Sequence, residues 1–444
     1  MKAGFSRLDI TPPLGAVLNG YYRERYADGI LEKLYVNTIA FSDGESTAVA
    51  ISLDISEILQ RDTDIIRKLV AERTGLPFEA IFVACIHTHT APVISEIISF
   101  FKCDPNYIDF FHKKICDSAV FAIEDMKEAK AYIARRKCEG ISFLRRFRMP
   151  DGSISTNPPQ GASVEGPAGE VDETVQLVRL TREGASDIAI INFGTHPDVI
   201  GGTKICPDWP GFLRIYLEQA MADVANGKGL CAIFFNGAQG DVAHADRFDP
   251  KTKTLTKPVR KGVEHSRYMG RALAGAVMQM YDYAEEVNSD KVFFKQTFAK
   301  VAVNKGTPEQ VEWARKRNQE FLDAVDKRGI PTEVVEARRY LRLENVEPWV
   351  DLNVVTVGFG DVAFVGFPGE PFTKIGTETK NNSPFAMTLP CCNANGSEGY
   401  FPTDDALIHK GYEGTSSLFL PGVAGAMIDT ADRLLKEVNE EIKK

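Results

Sequence analysis

The chain has 444 residues with a net charge of −9, 44% hydrophobic residues and no low-complexity tract. Its length exceeds the usual size of one core, so one large or two ordinary domains are expected. The acidic balance excludes a nucleic-acid backbone as partner, because phosphate binding requires a basic surface.

The chain enters structure at once at Met1-Lys2-Ala3-Gly4-Phe5, with no apolar leader. No run approaches the roughly 20 apolar residues of a spanning helix, so no membrane insertion is expected. The eight cysteines form no Cys-x-x-Cys pair, and Cys85, Cys116 and Cys231 fall inside apolar patterns. Reduced packing thiols and a cytoplasmic location follow as expectations.

In chain order, a short strand precedes the stiff turn Asp9-Ile10-Thr11-Pro12-Pro13-Leu14-Gly15. Strands at 34–41 and 47–54 flank the Asp43-Gly44 turn, a hairpin signal. The spacing predicts a helix from about Gln60 to Arg73, stopped by Gly75 and Pro77. Residues 81–92 then read Ile-Phe-Val-Ala-Cys-Ile-His-Thr-His-Thr-Ala-Pro, a buried strand ending in two histidines. Ligand crevices of α/β sheets lie beyond the carboxyl ends of strands, where His87 and His89 fall. If the chain stays extended there, both imidazoles face one site, as metal ligands or as catalytic groups. The plain alternative is two satisfied polar residues in a surface turn.

A helix is expected from about Pro105 to Lys127, with Phe110, Phe111, Ile115, Ala119 and Ile123 at core spacing. Arg145, Arg146 and Arg148 follow, readable as a solvated basic face or as a holder of carboxylate or oxyanion. Strands at 175–180 and 188–193 lead to His196, a second histidine at a strand end. A third strand, 231–235, runs into Asn236-Gly237-Ala238-Gln239-Gly240-Asp241, a possible oxyanion nest. After a helix at 264–286, residues of about 308–343 are highly charged with helical period, a peripheral helical insertion. Strands at 352–359 and 362–367 end in Pro368-Gly369-Glu370, and a helix from about Gly425 to Ile442 closes the chain. No internal repeat is visible in the residues. A single large α/β unit, a mixed β-sheet core flanked by helices, is the simplest organisation.

His87, His89, His196 and Glu370 thus lie at three strand ends, a plausible set of nitrogen and oxygen ligands. The ordered set Asp9-Ile10-Thr11-Pro12, His87-Thr88-His89-Thr90-Ala91-Pro92, Gly240-Asp241-Val242, Pro368-Gly369-Glu370, Gly399-Tyr400 and Tyr412-Glu413-Gly414 resembles the neutral/alkaline (non-lysosomal) ceramidase family. The match spans about residues 1–430 and resembles that family's catalytic domain alone. The resemblance implies Zn2+ held by His87, His196, Glu370 and Tyr400. It implies His89, Arg145 and Tyr412 as catalytic residues, with His89 hydrogen-bonding the reacting group rather than the metal. The implied activity is hydrolysis of an amide (N-acyl) bond in a small-molecule substrate. One position departs from the pattern: where the family has Gly-Asp-Val-Ser, this chain has Gly240-Asp241-Val242-Ala243, with no hydroxyl. Zinc-bound water is then the expected nucleophile. The missing leader points to polar amides or esters rather than membrane ceramide. The alternatives are a zinc hydrolase of an ester or sugar derivative, a silent metal-binding protein, or a (β/α)8 amidohydrolase. The last wants more histidines on later strands than a total of seven supplies.

Overall fold

The structure, a computed structural model, describes residues 1–96, 101–324 and 329–444. One succession of elements recurs through it: three strands, a helix, a fourth strand and a second helix. Its first occurrence is β1 (Lys2–Asp9), β2 (Tyr35–Ser42), β3 (Thr47–Leu53), α1 (Gln60–Thr74), β4 (Ile81–Cys85) and α2 (Pro105–Glu124). The second is β5 (Lys127–Lys137), β6 (Thr174–Arg182), β7 (Asp187–Phe193), α3 (Asp208–Ala220), β8 (Leu230–Asn236) and α4 (Val263–Tyr281). The third starts with β9 (Val292–Ala302), after which α5 (Pro308–Asp323) and α6 (Thr332–Leu343) are inserted. It resumes with β10 (Trp349–Phe359), β11 (Val362–Gly366), α7 (Thr373–Asn382), β12 (Met387–Cys391) and α8 (Val423–Ile442).

Pairing repeats as faithfully as order. In each unit the first three strands are antiparallel neighbours, and the third runs parallel to the fourth. A parallel pair needs a crossover, which α1, α3 and α7 supply. Units one and two fuse into one mixed sheet of order β8-β7-β6-β5-β1-β2-β3-β4, joined where Lys2 and Ala3 face Glu128 and Lys127. Unit three forms a separate sheet, β9-β10-β11-β12.

The two sheets stack face to face. Ile39, Phe41, Phe82, Ile190 and Phe235 of the large sheet bury against Val355, Val357, Phe359, Phe364 and Leu389 of the small one. The rings of Phe82, Phe235 and Phe364 lie 5.2–6.2 Å apart, one from each unit. Each such ring contributes about 1.5–3 kcal/mol by leaving water. Helices α1 and α2 cover one half of the outer face of the large sheet through Ile66, Val70, Phe111 and Ile115. Helices α3 and α4 cover the other half through Leu213, Leu217, Leu273 and Val277. The small sheet is covered by α7 and α8 through Ile375, Met427 and Leu434. The expected mixed-sheet core flanked by helices is present, as four layers. Phe110, expected in the core, is 39% exposed.

Local signals set the ends. Gly75 closes α1 at φ 76°, Asp104 caps α2 ahead of Pro105, and Thr307 with Gln310 forms a capping box on α5. Helix α2 stops at Glu124, short of the expected Lys127, because Lys127–Lys137 is strand β5. That segment is rich in helix formers, but register pairing of Ala129–Lys137 with β6 overrides propensity. For the same reason α4 ends at Tyr281, and Glu285–Val287 pairs with β5 instead of extending the helix.

Candidate metal centre and its cavity

Third and fourth strands end level in every unit: Leu53 pairs with Cys85, Phe193 with Asn236, and Gly366 with Cys391. The loops just beyond these ends carry the candidate side chains. His87 follows β4, His196 follows β7 and Glu370 follows β11. The turn at His87 is not extended: φ is 73°, a left-handed conformation that costs a side-chain-bearing residue energy. His87 and His89 therefore reach one site through a turn, not through strand alternation.

Each of two imidazoles is fixed by a backbone carbonyl. His87 Nδ1 lies 2.9 Å from Ser56 O, and His196 Nδ1 lies 2.9 and 3.0 Å from the carbonyls of Gln239 and Val242. A carbonyl only accepts, so Nδ1 carries the proton in both rings and Nε2 is the atom presented to the site. The Asn393 amide, 3.1 Å from His87 Nδ1, is then a neighbour rather than a donor to it. Glu370 places one carboxylate oxygen 3.3 Å from His87 Nε2 and 3.2 Å from His196 Nε2. That oxygen also accepts from Gln239 Nε2 at 3.2 Å. His89 Nε2 lies 3.4 Å from His87 Nε2, and its buried Nδ1 has no partner. Nitrogens of the three histidines lie within 4.8 Å of one another.

The electrostatics suit a cation. Burial opposes charge on Glu370, but His87 and His196 outweigh it and hold the carboxyl well below its usual range. Burial likewise opposes charge on His87, yet Glu370 and Glu57 raise its pKa to about 9. Burial, with His87 adding to it, lowers His89 to about 3, and burial with Arg145 lowers His196. A metal ion held here would take the place of a proton on His87. Nitrogen and oxygen donors, with the far ring nitrogens anchored, fit zinc.

Glu370 and Tyr400 face each other in a two-residue parallel ladder with Pro371 and Phe401. Gly240 lets that ladder come close, since a Cβ there would sit 2.5 Å from Glu370 O. Arg145 Nη2 donates to Tyr400 Oη at 3.2 Å and to Gly240 O at 2.8 Å. Its Nη1 lies 3.3 Å from His196 Nε2, and its Nε donates to Glu413 at 2.7 Å. Glu413 is fully buried and also pairs with Arg146 at 3.8 Å and with Thr156. Two of the three clustered arginines thus serve one internal carboxylate, while Arg148 is exposed. Tyr412 Oη lies 3.0 Å from Tyr22 Oη, and its ring meets Tyr400 edge-on at 5.7 Å.

His87, His89, Glu370, Tyr400 and Tyr412 line a cavity of about 720 Å³. Its outer wall comes from the inserted helices, including Asn318, Val335, Glu336 and Arg342. The insertion is therefore not peripheral to the site: it walls the cavity, apart from residues 325–328, which lie outside the described residues. Gly237 and Gly240 do not form an open nest, because their N–H groups bond Phe193 O and Pro371 O. Ala243, 8% exposed, pairs with Phe143 beside Arg145 and brings no hydroxyl. Sequence reasoning missed Glu57, Gln239, Asn393 and Glu413. Glu413 lay inside a quoted motif, and Gln239 inside the glycine loop.

The stacked sheets, the helices outside them and the level strand ends define the neutral ceramidase fold. The crystal structure of neutral ceramidase from Pseudomonas aeruginosa matches with a TM-score of 0.75 at 17% identity, covering 99% of this chain and 74% of that one. A structure of ceramidase complexed with C2 matches at 0.71 and 16%, covering 98% and 75%. No protein-family model and no curated protein sequence matches the chain. The resemblance read from the ordered motifs is borne out in the fold. No helix among the described residues is long and apolar enough to cross a membrane.

Proposed function

We propose that the chain is a zinc-dependent hydrolase of an amide (N-acyl) bond in a small-molecule substrate. In this reading residues 1–444 act as one catalytic unit, in the cytoplasm. The supporting observation is the Glu370 oxygen set 3.3 and 3.2 Å from the Nε2 atoms of His87 and His196. Both histidines spend Nδ1 on backbone carbonyls, the arrangement that aims a histidine at a metal. Tyr400, opposite Glu370 in the ladder, completes the ligand set. Zinc held by these residues would supply Lewis-acid chemistry, polarising the amide carbonyl and lowering the pKa of water from about 16 towards about 7.

The remaining groups act around that centre. His89, kept neutral by burial, presents Nε2–H to the oxygen on which negative charge develops. Its orphaned Nδ1 is then a bare lone pair, the cheaper atom to leave without a partner. Tyr412 Oη, at the cavity wall, delivers a proton to the departing amine nitrogen. Arg145 is a positioning residue: locked on Glu413, it holds Tyr400 Oη and offsets phenolate charge. Ala243 offers no nucleophile, so water attacks.

Elemental analysis of the purified chain and of His196→Ala tests this, alongside turnover of N-acyl amides and esters. About one zinc per chain, lost in the variant, with amide hydrolysis by the native chain, is the expected result. No metal even after zinc is supplied would overturn it. Zinc without turnover on any amide or ester would select a silent metal-binding protein, the reading Ala243 favours.

A further inference from the structure

Glu57 has no part in the scheme above, yet it stands where the fold puts site residues. The loop after the third strand delivers His196 in unit two and Glu370 in unit three; in unit one it delivers Glu57. Glu57 lines the same cavity as His87, Glu370 and Tyr400. Its Oε1 accepts from Asn19 Nδ2 at 3.1 Å. The nearest donor to Oε2 is Ser397 Oγ at 3.4 Å, and that hydroxyl also lies 2.7 Å from the Asn393 amide. With His87 Nδ1–H 3.1 Å away, the Asn393 amide turns its oxygen to His87 and its NH2 to Ser397, which leaves the hydroxyl proton for Glu57. Both carboxylate oxygens then have a hydrogen-bond donor, but among the described residues neither has a cation in ion-pair contact.

Nearby cations are committed elsewhere. His87 is paired with Glu370 at 3.3 Å, Arg342 with Glu398 at 2.9 Å, and Arg339 Nη1 with Ser417 O at 3.0 Å. Arg61 donates to Glu96 O at 3.3 Å. Tyr22 adds aromatic surface to the wall, and ring faces attract ammonium groups, whereas the rings of Tyr21 and Tyr412 already carry Arg25 and Arg145. A carboxylate without a counter-cation, beside an aromatic ring and at a candidate catalytic centre, is a receptor for an ammonium group. An apolar acyl chain laid there would strand the charge.

We propose that Glu57 is a specificity residue binding a protonated amine on the substrate, so that the N-acyl compound cleaved here carries a second, cationic nitrogen. The substrate class, an N-acylated diamine, rests on the hydrolase reading; the ammonium site does not.

The test separates the two. N-acetyl-1,4-diaminobutane and its neutral counterparts, N-pentylacetamide and N-acetyl-4-aminobutanol, are titrated calorimetrically into chelator-treated full-length protein, where no turnover occurs. The ammonium probe should bind about tenfold or more tighter than either neutral probe, the scale of one hydrogen bond to a charged group. In the isosteric Glu57→Gln that preference should fall below about twofold, and in Glu57→Leu the alkyl probe should bind best. Thermal melts check that both variants fold. Equal binding of all three probes, tighter binding of the alcohol, no binding of the ammonium probe, or an unchanged preference in Glu57→Gln would each overturn the inference. The zinc-loaded native chain is then assayed for release of diamine. No release with the ammonium preference intact would overturn the hydrolase reading and leave the ammonium site standing.

Discussion

Two ligand sets share His87 and His196, and the third donor decides between them. Glu370 contacts both Nε2 atoms, at 3.3 and 3.2 Å, and carries the charge a dication wants. His89 reaches only His87, at 3.4 Å, and its Nδ1 lacks the anchor that orients the other two rings. Removing an outer-sphere partner of a metal costs about 10–100-fold in affinity, and losing a ligand costs more. Glu370→Gln, equal in shape but neutral, is therefore expected to weaken zinc binding by more than about 100-fold, or about 2.7 kcal/mol. His89→Ala should weaken it by less than about tenfold while abolishing amide turnover. Competition with a chromophoric chelator measures both affinities, and elemental analysis fixes stoichiometry. Zinc lost from His89→Ala but kept by Glu370→Gln would refute the assignment and make the three histidines the ligand set.

Three further expectations come from the same geometry. Glu413→Ala leaves the buried Arg145 and Arg146 without their carboxylate and should cost about 3–5 kcal/mol in urea unfolding; a loss below about 1 kcal/mol would show the network to be slack. Gly20→Ala puts a Cβ 2.6 Å from His89 Cβ and 2.7 Å from its Cα, at φ 103°, so His89 must shift. Zinc stoichiometry should survive and turnover should fall about tenfold or more, with unchanged kinetics counting against a role for His89. Ala243→Ser restores a hydroxyl beside Arg145 and should change amide turnover by less than about threefold if water attacks; a gain of about tenfold would make the hydroxyl the better nucleophile.

Much of this site was legible because its chemistry sits at strand ends. Buried runs such as Ile81–Cys85 and Asp187–Phe193 announce themselves by composition, and the residues just past them are few. Glu370 and Tyr400 are a different matter. They meet through a two-residue ladder between segments far apart in sequence, and only family resemblance joined them beforehand. Strand β5 buries only small side chains, Ala129 and Ala131, between charged ones, and β9 interrupts its apolar residues with Lys295, Gln296 and Lys300, so neither was anticipated. Helix α3 was hidden too: the Pro210-Gly211 pair reads as a turn, although proline is tolerated in the first turn of a helix, where it lies. The threefold recurrence left no trace in the residues, because packing repeats volumes and registers rather than amino acids. Its hairpin turns match in length at 43–46 and 183–186 but shorten at 360–361, and unit three alone carries inserted helices. Glu57 could not be picked out, since a glutamate before a helix normally points to solvent. Its meaning comes from the cavity it faces.

The recurrence also determines where the centre belongs. His87 comes from unit one, His196 and Gln239 from unit two, Glu370 and Tyr400 from unit three, so the centre is a junction and no unit owns it. Phe82, Phe235 and Phe364 lie on strands that run out into His87, Gln239 and Glu370. Under the proposed metal site, metal affinity would gauge how the two sheets are seated. A loosened contact among those three rings would register as a drifting ligand distance before the chain lost its fold.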